Sequence, residues 1–269
     1  KTLVAMLTAG KMILEGLGKV VYLTPLRALA NEKYNDFKAF EKLTKIDGKN
    51  VRVLISTGDY DSSGESLGAG DILILTNEKF DSIIRHGVSW IDSVKLFVAD
   101  EIHVVGDDDR GPTLEMTMTK ILSYAHEAQV LALSATVKNS KELANWLSAR
   151  SIDTKWRPIK LVEGIYQHGE ISFSDGSARK MKPTNRGHAI DVAIDTVSEG
   201  GQSLIFTETR RMAVSLALKA SEVTQHYLTK DEAEEAREVS RNIISAGEET
   251  ELSRTLSKLV EKGVAFHHA

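Results

Sequence analysis

VKLFVADEIHVVGDDDRG, from Val94 to Gly111, sets five carboxylates and a histidine around the end of an apolar run. A near-continuous run such as VKLFVA suits a strand buried on both faces, as in a parallel sheet. In an open parallel sheet, ligands bind outside the carboxyl ends of the strands. Asp100 and Glu101 follow the run at once and so arrive where a nucleotide would sit. One carboxylate can hold Mg2+, usually through its waters, because the ion takes few protein ligands. The other can orient and deprotonate an attacking water. Read alone, such a pair is more often an ordinary set of loop or helix-capping acids, and only its context favours chemistry. Asp107 to Asp109 read as a solvated loop with no role.

Outward from that stretch, four further apolar runs have the same character: Lys19 to Thr24, Val51 to Ser56, Asp71 to Thr76 and Gln129 to Thr136. Between them, Pro25 to Leu43, Thr76 to Gly87, Pro112 to Ala125 and Asn139 to Ala149 carry apolar residues at spacings of three and four. Strand and helix alternate, which predicts a doubly wound α/β domain. Trp156 and Pro158 interrupt the alternation, and a polar patch from Ser172 to Gly187 follows. The pattern then restarts with GHAIDVAIDTVSEGG, the strand-like QSLIFT (Gln202 to Thr207) and ETRRMAVSLALKAS. Glu222 to Lys262 is charge-rich with helical spacing of acids and bases, the mark of a solvated helix face. Two domains are expected, 1–157 and 158–269.

A 42% hydrophobic fraction with 27% charged residues describes a soluble globular chain, and no apolar stretch reaches the ~20 residues that span a bilayer. The absence of cysteine excludes disulfides and thiolate metal sites, in keeping with an intracellular setting. A net charge of -4 means that any nucleic-acid partner must be held by local basic positions. The opening KTLVAMLTAG, with no initiator Met or signal-peptide pattern, and the closing GVAFHHA, an apolar strand start, read as a segment of something longer.

A nucleotide hydrolase also needs a phosphate cradle, a glycine loop whose Lys neutralises terminal phosphates and whose Ser or Thr reaches Mg2+. Lys1 and Thr2, followed by a helix and standing about 100 residues ahead of the acidic strand end, fit the tail of such a cradle only in combination with it. For nucleic acid, Arg27 follows a strand and Pro25, and Thr76 opens the helix NEKFDSIIR. A helix N-terminus offers unpaired N–H groups and a positive dipole end to a phosphate.

KT, TPLRALANEKY (Thr24 to Tyr34), STGDY (Ser56 to Tyr60), TNEKFDSIIR, VADEIH, LSATV, WRPIKLVEG and SLIFTETRR occur in one order along the whole chain. In that order and approximate spacing the chain resembles the superfamily 2 DExH helicases of the Ski-like group. Within the group it is similar to the archaeal replication-fork repair branch, related to HELQ and to the helicase part of DNA polymerase theta. The resemblance implies tandem RecA-like P-loop motor domains with parallel sheets, the second incomplete here. It implies ATP and Mg2+ as cofactors, with Lys1 and Thr2 on the phosphates and metal, Asp100 holding the metal and Glu101 as general base. His103, Ser134, Ala135 and Thr136 would couple the nucleotide site to the nucleic acid. Pro25, Arg27, Gly58, Thr76, Thr207 and Arg210 would line the backbone of one strand.

The implied activity is 3′ to 5′ unwinding of single-stranded or forked DNA in repair, inside the cell at the nucleoid, beside replication-fork proteins. An RNA helicase of the same group, acting in RNA decay, is a second reading, since backbone contacts do not name the sugar. A nucleic-acid-binding segment without turnover of its own is a third. The family's cradle glycines, adenine-reading segment, arginine fingers, winged helix and ratchet domain are not in the sequence, so turnover is expected of a longer parent.

Overall fold

The computed structural model describes residues 1–269 except 59–63, 126, 136–138, 155, 246–249 and 268–269. The chain divides into two compact units, Lys1–Lys155 and Trp156–Ala269. In the first, β1 (Lys19–Thr24), β2 (Val53–Ser56), β3 (Ile72–Thr76), β4 (Val94–Ala99) and β5 (Gln129–Ala132) form one sheet in the order β2-β3-β1-β4-β5. Every pairing in it is parallel. All five predicted runs are therefore strands: β1 matches its run, β2 and β3 start two and one residues later than theirs, β4 stops at Ala99, and β5 ends at Ala132.

Near-continuous apolar runs are needed because both faces of this sheet are covered. Val21, Leu23, Leu73, Leu75, Phe97 and Ala99 point to one face, where α3 (Asn77–His86) contributes Phe80 and Ile83 and α4 (Gly111–Tyr124) contributes Leu114, Met118 and Ile121. Val20, Tyr22, Ile72, Ile74, Leu96 and Val98 point to the other, against Ala5, Ala9 and Ile13 of α1 (Thr2–Leu14) and Ala30 and Phe37 of α2 (Arg27–Phe37). The period of two along each strand thus builds two cores rather than a wet and a dry face. A short helix, α5 (Ser140–Trp146), follows β5.

Parallel strands joined by helical crossovers all end at the same edge. Thr24, Ser56, Thr76, Ala99 and Ala132 are those ends, so the segments after them share one rim. Asp107 folds the acidic loop on that rim: its Oδ1 accepts the backbone N–H groups of Asp109 at 3.1 Å and Arg110 at 2.9 Å. Gly111 closes it, where a Cβ would stand 2.4 Å from the Val105 carbonyl oxygen, so only glycine fits.

The second unit departs from the sequence expectation. An antiparallel meander of β6 (Gly164–Gln167), β7 (Glu170–Phe173) and β8 (Ala178–Lys180) begins ahead of the polar patch and runs into it. It was hidden because strands of three or four residues, mostly exposed, carry almost no apolar signal. The helices are α6 (His188–Ser198), α7 (Arg210–Thr224), α8 (Lys230–Ser245) and α9 (Glu251–Val260). QSLIFT makes no ladder: among the described residues it has no neighbouring strand, and Leu204 and Phe206 are 81% and 87% exposed. A strand exists by its partner's hydrogen bonds, so apolar composition alone did not make this one. No described helix is long and apolar enough to cross a membrane.

Candidate functional site

Asp100 leaves β4 as a buried carboxylate, 6% exposed, with its N–H donating to Leu23 O at 2.9 Å. Its Oδ1 accepts the Glu101 N–H at 3.0 Å and its Oδ2 accepts the Tyr22 hydroxyl at 2.7 Å. Burial, then the bond to Asp100, raises the Tyr22 pKa far above its ordinary value, so the phenol is a permanent donor. Glu101 turns the chain sharply in a left-handed conformation, φ 50° and ψ 44°. That backbone is unusual for a residue with a Cβ and concentrates at functional turns.

A short zipper joins the end of β4 to the end of β5. Leu133 N donates to Ala99 O at 2.8 Å and Ile102 N donates to Leu133 O at 2.9 Å. It carries Ser134 and Ala135 to His103. The imidazole Nδ1 lies 3.2 Å from Glu101 Oε2 and 3.5 Å from the Ala135 N–H. A neutral ring uses Nδ1 either as donor to Glu101 or as acceptor from Ala135, never both. Ser134 Oγ is buried with no hydrogen-bond partner within the described chain. Thr136 lies outside the described residues.

Lys1 stands at the start of α1, its Nζ 3.6 Å from Glu101 Oε1. Both side chains are partly exposed, so this contact adds little to stability and leaves both groups available. Next to it, the Thr2 hydroxyl accepts from Lys33 Nζ at 3.1 Å. Lys33 is a buried lysine on α2 that also bonds Glu32 at 2.6 Å and Asp36 at 3.4 Å. Burial works against its charge, yet the two carboxylates outweigh it and hold its pKa above the ordinary 10.5. Lys1, Glu101, His103 and Ala135 are thus brought together directly, with Asp100 adjoining through Glu101.

The remaining first-unit candidates share a second feature on the same rim. Pro25, Arg27, Gly58 and Thr76, with Leu26, Thr57, Glu78 and Lys79, line a cavity of about 300 Å3. Arg27 is exposed, whereas Pro25 and Thr76 are buried. Thr76 is the N-cap of α3, its hydroxyl accepting from Lys79 N at 3.3 Å, so it acts through the helix end it shapes. In the second unit, Arg210 is exposed at the first turn of α7, which Thr209 caps by accepting from Met212 N at 3.2 Å. Thr207 Oγ1 donates to Thr209 O at 3.3 Å.

A buried and a half-buried acid thus stand at the carboxyl end of a central parallel strand, with a lysine at a helix start beside Glu101. Residues 1–143 match the family described as DEAD/DEAH box helicase. The chain belongs to this family. Among curated proteins, its similarity to two relatives named ATP-dependent DNA helicase Hel308 spans all of this chain. They are from Pyrococcus horikoshii, 42% identical over 269 residues, and Thermococcus kodakarensis, 45% identical over 270. A third of that name, from Methanocella arvoryzae, is 41% identical over 270 residues. The chain spans 35%, 22% and 36% of the lengths of these relatives.

Two buried residues that support the rim escaped the sequence reading, Tyr22 and Lys33. A signal existed for each. Tyr22 carries the sole side-chain hydroxyl inside the apolar run VVYL, and Lys33 falls on the stripe Ala30, Lys33, Phe37 that α2 turns to the core.

Proposed function

We propose that the protein is the motor portion of an ATP-dependent DNA helicase, with 158–269 beginning a second RecA-like domain. The observation that carries this reading is the Asp100 and Glu101 pair at the end of β4, with Lys1 Nζ 3.6 Å from Glu101. Lys1 neutralises the terminal phosphates of ATP, leaving its parking contact with Glu101 when they arrive. Glu101, freed of that contact, takes the proton of the attacking water. His103 then chooses between Glu101 and Ala135 as its Nδ1 partner, which ties the state of the base to the segment 134–136.

The residues fit Mg2+. The ion keeps most of its waters and needs only one or two protein ligands. Asp100 is a carboxylate of fixed orientation with lone pairs to spare, and the Thr2 hydroxyl lies at the neighbouring helix start. These two would hold the metal, which when bound neutralises phosphate charge during transfer. On the nucleic-acid side, Pro25, Arg27, Gly58, Thr76, Thr207 and Arg210 take one strand by its phosphates. The name carried by the relatives favours DNA. Translocation from 3′ to 5′ on forked structures, repair of stalled forks at the nucleoid and contact with replication-fork proteins extend the same reading.

The test uses the full-length protein. Glu101→Gln is expected to bind ATP normally and to lose about 10² to 10⁴ in DNA-stimulated turnover, the usual contribution of a positioned base. Wild-type protein is expected to unwind forked DNA in preference to an RNA duplex. Normal turnover in Glu101→Gln would overturn the catalytic assignment, and preference for the RNA duplex would overturn the substrate.

A further inference from the structure

We infer that Tyr22, a residue of the β1 interior, is a positioning residue that sets the orientation of the Asp100 carboxylate toward the metal. This rests on the nucleotide reading above and adds a residue to it. The Tyr22 ring is 0% exposed and meets Phe37 edge-on at 5.4 Å, while Phe37 stacks on Phe40 at 5.6 Å. Packing of that kind locks the ring and leaves the phenol oxygen one place to be. From there it donates to Asp100 Oδ2 at 2.7 Å.

The consequence for Asp100 follows from counting acceptor sites. A carboxylate has about four lone-pair positions. The Tyr22 hydroxyl takes one on Oδ2 and the Glu101 N–H takes one on Oδ1, at 3.0 Å. Two donors on different oxygens fix both the χ angles and the plane of the group. The lone pairs left over, one on each oxygen, are then held in fixed directions, and a fixed anchor is what would favour a metal ion held there. Without Tyr22, one oxygen swings about the remaining bond to Glu101 N. The hydroxyl is also the means by which the α1 and α2 core, which holds Tyr22 and Phe37, transmits its rigidity to the rim.

The experiment measures binding of a fluorescent ATP analogue to the full-length protein as Mg2+ is titrated. Tyr22→Phe is expected to raise the Mg2+ concentration for half-saturation about tenfold, the scale of losing an outer-shell partner, with Mg2+-free binding of the analogue unchanged. In an Asp100→Ala background, Tyr22→Phe is expected to add nothing, because the phenol works only through that carboxylate. Phe80→Leu serves as the structural control: it loosens the core on the opposite face of the same sheet but keeps the hydroxyl and the Tyr22–Phe37 packing. Below its melting temperature it is expected to show the wild-type Mg2+ dependence. If Asp100→Ala shifts the Mg2+ titration and Tyr22→Phe does not, the Tyr22 assignment is overturned and the nucleotide reading stands. If Asp100→Ala itself leaves the titration unchanged, that reading falls. A Tyr22→Phe protein that folds at no temperature, or a Phe80→Leu protein with the same Mg2+ shift, assigns the phenol to the fold and overturns the proposal.

Discussion

Glu101 is the residue at which stability and chemistry pull apart. Its φ of 50° puts a side-chain-bearing residue in the left-handed region, at a cost of about 1–2 kcal/mol. Glycine would remove that strain, against a larger unfolded-state entropy worth about 0.5–1 kcal/mol. The side chain's contacts, Lys1 at 3.6 Å and His103 at 3.2 Å, are partly exposed and contribute little to the fold. Glu101→Gly is therefore expected to be as stable as the wild type or up to about 1 kcal/mol more so, while losing hydrolysis. Thermal unfolding checks it, and a clear drop in the midpoint would show that Glu101 holds the rim together. At this scale the sequence was partly readable. Acids after an apolar run announce themselves because burial makes them costly. Supporting residues such as Lys33 do not, since a lysine on an apolar helix stripe acquires meaning only when Thr2, Glu32 and Asp36 are seen around it.

Among the elements, α6 shows what holds the second unit where apolar burial is thin. Asp191, in its first turn, is buried and accepts from Thr184 N at 2.6 Å, Thr184 Oγ1 at 2.5 Å and Tyr166 hydroxyl at 2.9 Å. It joins the meander, the loop before the helix and the helix itself. Burial pushes its pKa up, but the Thr184 and Tyr166 bonds and the nearby His188 outweigh this and hold it below the ordinary 3.8. A depressed carboxyl pKa stabilises the fold above the unfolded value, and the gain is lost as pH falls through the folded value. Asp191→Ala is expected to cost about 2–3 kcal/mol at neutral pH, leaving buried donors unpaired, and to show a shallower loss of stability below about pH 4 than the wild type. Urea unfolding followed by circular dichroism at neutral and acid pH measures both, and parallel acid losses in the two proteins would remove Asp191 from the account. The same element explains the limits of sequence reading here. In the first unit, strands covered on both faces must be apolar throughout, so all five were legible. The meander is held by polar anchors like Asp191 and Arg179, and hydropathy is silent on those.

At the scale of the whole molecule, the net charge of -4 sets the terms for nucleic-acid binding. These 269 residues hold no general attraction to a polyanion, so under the proposed function their affinity comes from a few cations on the rim, and the loss of one is expected to be visible. Arg27 is exposed beside the cavity lined by Pro25, Gly58 and Thr76, and Arg210 is exposed on the other unit. If such positions meet phosphates, each neutralised phosphate of a single strand releases counterions, with a slope of about 0.7 per contact in log affinity against log salt. Arg27→Ala in the full-length protein is expected to lower that slope by up to about 0.7 and to weaken all sequences alike. The measurement is a titration of two unrelated labelled single strands across a salt series, with and without the substitution. A loss confined to one sequence would make Arg27 a reader of base edges, since phosphate contacts carry no sequence information. An unchanged slope would make it an ordinary surface cation, and the strand would then have to cross the rim by another path, with the helix end capped by Thr76 the next position to test.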